Sequence, residues 1–193
     1  EQDTGIVTNP TGDAWVALDI KTPSVSRSSR TLHDPNKEDG TAEESSVSTV
    51  RAIFFDASEQ LTDDIELTGV EAGNPGQPNG GVSKPFKVDA KSKRILIIAN
   101  PGAGFPAKGS FGTGASYSTV NGVLALSLGA DVTQNVAKNG SFMMSNAKGR
   151  LEPSVSTTDG TDADLALYKT EELAKNSPLA IHIDRVVAKV RVY

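Results

Sequence analysis

A chain of 193 residues with 37% apolar residues is long enough to bury one sizeable core, and its 18 glycines and 10 prolines call for many turns and long connections. Its 24 acidic against 19 basic residues give a formal charge of −5; without a Lys/Arg cluster, this disfavours nucleic acid or an anionic membrane as partner. Cysteine is absent, which excludes disulfides, zinc ribbons and a thiol nucleophile within these residues.

The opening Glu1-Gln2-Asp3-Thr4-Gly5 is polar, and residues 1–12 read as a flexible leader to a single domain over 13–193. No apolar run approaches the roughly 18 residues needed to span a bilayer, and no basic–apolar–small signal pattern is present. The chain is therefore either cytosolic or the product of an export step that removed a signal.

Val16, Leu18 and Ile20 alternate between Gly12-Asp13 and Pro23, the pattern of a strand with one buried face. Val47 to Phe55 is apolar on both faces, with Val47, Ile53 and Phe55 on one side and Val50, Ala52 and Phe54 on the other. Ile65 with Leu67, and Phe86 with Val88, mark two further strands. Arg94-Ile95-Leu96-Ile97-Ile98-Ala99 is a continuous apolar run, short enough for a central strand buried on both sides.

Helical signal is sparse. Val120, Val123, Leu124 and Leu128 form the best helical face, within Ser118 to Leu128, weakened by Gly122. Lys169 to Lys175 reads as a short helical turn ending before Pro178. In the last segment Leu179, Ile181 and Ile183 are apolar at odd positions, whereas Val186, Ala188, Val190 and Val192 are apolar at even ones. A strand needs an extra residue or a kink to swap faces, so a β-bulge is expected near Asp184-Arg185. Ser24–Ser46, Ala72–Gly81 and Pro153–Asp164 have loop composition. The absence of strand–helix alternation argues against a nucleotide-binding α/β fold.

No catalytic constellation emerges. The two histidines, His33 and His182, fall in a polar loop and on the solvent side of a strand, and no nucleophile elbow or zinc-helix motif is present. Gly102-Ala103-Gly104-Phe105-Pro106-Ala107-Lys108-Gly109 lacks the Gly-Lys-Ser/Thr ending of a phosphate loop and reads as a glycine-rich surface loop. Asp159-Gly160-Thr161-Asp162-Ala163-Asp164 puts Thr170 where a calcium loop needs a glutamate. No enzyme activity, catalytic residue, metal site or cofactor is expected.

Four ordered segments carry a resemblance. Gly40 to Asp56 resembles the segment that opens the folded part of fimbrillins, the subunits of Bacteroidales-type (type V) pili. Arg94 to Asn100 is similar to that family's strand ending in Ala-Asn, Phe142-Met143-Met144-Ser145 to its apolar-Met stretch, and Leu179 to Val190 to its Arg-x-x-Ala-Lys strand. The resemblance spans residues 14–193 and implies an all-β, transthyretin-like β-sandwich with one or two short helices in connections. The resemblance is to the family's N-terminal domain, so residues 13–193 are expected to be that domain, from a two-domain protein or a truncated form, with neither the second, C-terminal domain nor the cysteine of a lipoprotein signal expected among these residues.

The resemblance also implies a function. Fimbrillins are exported lipoproteins of the outer membrane, and an arginine-specific surface protease removes their first strand. A strand from the next subunit then fills the groove by donor-strand exchange, building the fimbria that mediates adhesion. Here the removable strand is Ala14–Lys21 with Val16, Leu18 and Ile20 as its groove-filling residues, and Arg27 and Arg30 are the candidate cleavage points. The expected partners are other pilus subunits, that protease and, through the precursor, a lipid anchor. The alternative is a surface lipoprotein sandwich that binds glycan or host protein through loops such as Gly102–Gly114 without polymerising.

Overall fold

The computed structural model describes residues 5–22, 47–67, 71–72, 81–102, 104–120, 122, 137–138, 141–147 and 165–186. The first alternating segment forms two strands, β1 (Asp13–Val16) and β2 (Leu18–Lys21), interrupted at Ala17. The two-faced apolar segments form β3 (Val50–Phe55) and, later, β8 (Arg94–Ala99). Between them lie β4 (Leu61–Leu67), β5 (Glu71–Ala72), β6 (Gly81–Val82) and β7 (Phe86–Asp89). After β8 come β9 (Ala137–Lys138), β10 (Ser141–Phe142), β11 (Met144–Ser145), α1 (Glu171–Asn176), β12 (Leu179–His182) and β13 (Asp184–Arg185).

The strands assemble into an all-β sandwich. One sheet has the order β13-β11-β8-β3-β4, and the facing layer has β12-β2-β6-β5 extended by the β1-β7 ribbon. The inner core fills the space between them with Val16, Leu18, Ile20, Phe54, Ile95, Ile97 and Ile181 among its members. The edge of the Phe54 ring meets Phe86 across the layers at 6.1 Å. A second core covers the outer face of the five-stranded sheet, where Ile53, Phe55, Leu96 and Ile98 pack against Phe111, Val120 and Met143. β3 and β8 are thus buried on both faces because both of their side-chain rows are apolar apart from the ion-paired Arg51 and the exposed Arg94.

Several expectations hold. α1 starts at Thr170, whose hydroxyl accepts from the Leu173 amide, and carries Glu171 and Glu172 in its first turn. A helical turn occupies 117–120 with Val120 buried, whereas most of the expected helical face beyond it lies outside the described residues. The loops expected over Ser24–Ser46 and Pro153–Asp164 lie outside them too. The Ala72–Gly81 loop is narrower than expected, because Ala72 and Gly81 pair with each other.

Three details differ. Val47 packs on the inner core with Val50 rather than with Ile53 and Phe55, because the regular alternation begins only at Val50. The parity change after Ile183 is not a bulge within one strand. β12 pairs with β2 in one layer, and β13 pairs with β11 in the other, so the chain switches sheets at Ile183 and inner-core contact is retained through the corner. Finally, the stretch read as a leader is tied down in part. The Val7 amide donates to the Leu167 carbonyl at 2.8 Å, and the Lys169 amide donates to the Gly5 carbonyl at 2.9 Å.

Candidate functional site: the cleft filled by the first strand

Ala14–Lys21 has backbone partners along both edges. On one side β1 pairs antiparallel with β7, Ala14 opposite Val88 and Val16 opposite Phe86. β2 then pairs antiparallel with β6, Asp19 opposite Val82 and Ile20 opposite Gly81. The partner advances four residues, Val82 to Phe86, while the first strand advances three, Val16 to Asp19. Pro85, which has no amide hydrogen to offer, falls in that mismatch. Ser83 repairs it: its amide donates to the Leu18 carbonyl at 2.8 Å and its Oγ accepts from the Leu18 amide at 2.9 Å.

On the other side, Trp15 and Tyr168 exchange both backbone hydrogen bonds at 2.8 Å. After α1 reverses the chain, β12 runs parallel to β2 from Leu179 opposite Leu18 to His182 opposite Lys21. The Leu179 amide donates to the Ala17 carbonyl at 2.8 Å and the Ile183 amide to the Lys21 carbonyl at 2.9 Å. Almost every cleft wall is therefore a backbone group, which recognises an extended chain irrespective of its sequence.

Side chains supply the specificity. Ala14, Val16, Leu18 and Ile20 are all 0% exposed and point into the inner core. Burying the three larger ones stabilises the seated strand by about 1.5–3 kcal/mol each. The other face is polar and partly open. Trp15 is half-buried with the Lys87 ammonium 5.3 Å from its ring, and Asp19 pairs with Lys21 at 2.7 Å. A chain filling this cleft must therefore offer small or branched apolar residues at alternate positions.

The mouth of the cleft near Asp13 is acidic. Asp13 sits directly opposite Asp89, and Asp63 of β4 accepts from the Asp89 amide at 2.8 Å. Burial pushes the Asp63 carboxyl above its ordinary range, and the Asp89 and Asp13 charges push the same way. The hydrogen bonds from the Asp89 amide and Thr62 oppose the shift.

A second feature lies on the outer face. Arg51 is 4% exposed and grips Asp64 with Nε and Nη2, both at 2.6 Å. Its guanidinium also donates to the Pro106 and Ala107 carbonyls and lies 5.8 Å from the Phe105 ring. The glycine-rich loop after β8 is thus stapled down over a depression of about 240 Å³ whose lining includes Thr49, Glu66 and Lys108. Phe105 is half-buried and lines the same depression, with the Arg51 guanidinium over its ring.

Of the sequence-derived site residues, Val16, Leu18 and Ile20 come together in the inner core, whereas Arg27 and Arg30 lie outside the described residues, as does His33. His182 is half-buried on β12 rather than solvent-facing, and its Nε2 is enclosed with no hydrogen-bond partner among the described residues. Among the described residues no group of three His, Asp or Glu side chains converges as a metal site. Ser83 and Tyr168 are not legible in the sequence, since contacts made through backbone groups or one hydroxyl leave no periodic signal. Ala14 continues the alternating row of Val16, Leu18 and Ile20.

No curated protein matches this chain. The family described as "Major fimbrial subunit protein (FimA)" matches residues 18–182, well over half of its length. That match begins at the first residue of β2 and ends at the last residue of β12, the two strands that pair in parallel across the cleft.

Proposed function

Because this chain belongs to the major fimbrial subunit protein (FimA) family, we propose that its first strand is a removable plug and that subunits join by donor-strand exchange. The chain is a structural subunit of a cell-surface fimbria and assembles with other pilus subunits. An arginine-specific surface protease cuts after Arg27 or Arg30, in the segment between β2 and β3, and frees Ala14–Lys21. The vacated cleft then presents the inner core and two unpaired strand edges, and a strand from the next subunit fills it. Export as a lipoprotein to the outer membrane, and adhesion through the finished fibre, complete the proposal.

The observation that carries it is the position of Ala14–Lys21. The strand lies between neighbours on both edges, with its apolar row wholly buried. A peripheral strand would leave nothing worth refilling. An empty central position exposes both apolar surface and unpaired amides, a combination with a strong drive toward strand addition. The family supplies the rest: a protein that must join head to tail into a fibre needs a heterologous interface, and one vacated cleft per subunit provides half of it.

The test is digestion of the folded chain with an arginine-specific protease, followed by N-terminal sequencing and size analysis. A new terminus at Ser28 or Thr31, with assembly rising after the cut, is the expected result. Resistance of both positions in the folded chain refutes the processing step.

A further inference from the structure

The segment Leu167–Lys169, bridged at Tyr168, carries the same N-terminal chain on both of its edges. On its inner edge Tyr168 exchanges two backbone hydrogen bonds with Trp15. On its outer edge it bridges Ile6 in antiparallel fashion, through the Val7-to-Leu167 and Lys169-to-Gly5 hydrogen bonds. Ile6 and Trp15 are both antiparallel to Tyr168, so they run in the same direction. Residues 8–12 must therefore carry the chain back past Leu167–Lys169, and Gly12 anchors the return by accepting from the Ala90 amide at 2.8 Å. The N-terminal segment straddles Leu167–Lys169 as a clip.

Gly5 fits the clip for two separate reasons. Its φ is +67°, a region side-chain-bearing residues adopt at a cost. A Cβ there would also meet Leu173 Cδ1 on α1, the end of a partly exposed side chain that would have to turn aside. Two residues on, Val7 packs against the inner core. Ile6 and Leu173 remain 39% and 36% exposed, so the strap is seated more lightly than the first strand. It is joined to that strand by only a few residues. A strand that leaves the cleft while the strap holds stays at high effective concentration and reseats before it can diffuse away.

We propose that Gly5–Val7 is a latch on the first strand. Cutting the chain beyond β2 permits only reversible opening, and the strand departs when the latch also lets go. This rests on the removable-strand reading above, and deepens it by separating cleavage from release.

Gly5→Val strains the strap's backbone at its positive φ and crowds Leu173, and Val7→Pro removes the amide that binds Leu167. In the intact chain, both variants are expected to speed amide exchange at Trp15 and Tyr168 by about ten- to thirtyfold, the worth of two backbone hydrogen bonds. Exchange at Ile97 in β8 stays unchanged. After arginine-specific cleavage, native mass spectrometry should show the N-terminal piece leaving both variants faster by a similar factor. Faster exchange at Lys169 alone, or an equal rise at Ile97, overturns the latch. If the protease does not cut, the removal reading falls, while the exchange rates at Trp15 still decide whether strap and strand are coupled.

Discussion

β3 with β8, and β1 with β2, bury their inward side chains equally completely, yet they are held differently. β3 and β8 pair with each other over six residues without a register shift, Val50 opposite Ala99 through Phe55 opposite Arg94, and each belongs to both cores. The first strand is divided at Ala17 and touches only the inner core. Its neighbours come from four separate segments: β7, β6, Tyr168 and β12. Burial alone therefore does not distinguish a permanent element from an exchangeable one. The number of buried faces differs: β1 and β2 contribute to the inner core alone, whereas β3 and β8 are also held by the outer core, so on the proposed exchange only the inner core would open.

The sharpest probe of this contrast is a matched pair of core truncations. Phe54→Ala should cost about 3–5 kcal/mol and Leu18→Ala about 2–5 kcal/mol in urea unfolding of the intact chain. In a chain whose first strand has been exchanged for a partner's, the Phe54→Ala penalty persists and the Leu18→Ala penalty disappears. Equal persistence of both would erase the distinction.

A second pair removes polar supports. Asn146 prolongs the β8 ladder with its side chain, accepting from the Ile97 amide at 2.8 Å and donating to the Ile95 carbonyl at 2.9 Å. Asn146→Ala orphans two buried backbone groups and should cost at least about 2 kcal/mol. Ser83→Ala orphans the Leu18 amide alone and should cost about 1–2 kcal/mol, again only while the first strand is seated. Denaturant midpoints of the intact and exchanged chains check both.

The smallest effect is electrostatic. The folded-state pKa of Asp63 is raised, so the native state binds its proton more tightly than the unfolded state. Protonation therefore favours the fold, and this contribution is lost as pH rises through the folded-state value. Asp63→Asn, which keeps an acceptor for the Asp89 amide, should be more stable than the parent at neutral pH. The advantage should fade below the ordinary aspartate pKa of about 3.9. A pH series of denaturant midpoints checks the direction.

What was legible in the sequence follows the same divide. β3 and β8 announce themselves as continuous apolar runs, and Val16, Leu18 and Ile20 as an alternating row. Their signals are local because each comes from one segment's own burial. Two-residue strands such as β5, β6 and β13 are too short to carry a period and exist only through their partners. Arg51 shows the same limit: within Val50 to Phe55 it reads as an exposed charge. Its burial depends on Asp64, which lies opposite Ile53 and therefore diagonal to Arg51 on the neighbouring strand. The strap at Gly5–Val7 is illegible for a related reason, since a polar, glycine-containing stretch has leader composition whether or not a distant segment receives it.

The most direct measurement is entry of a labelled synthetic peptide, Asp13 to Thr22, into the protein before and after arginine-specific cleavage. Stoichiometric incorporation into the cleaved chain alone, abolished when the peptide carries Leu18→Lys, is the predicted result. A cleaved chain that stays closed to the peptide once its own N-terminal piece has gone, or an intact chain that takes it up equally well, would contradict the account.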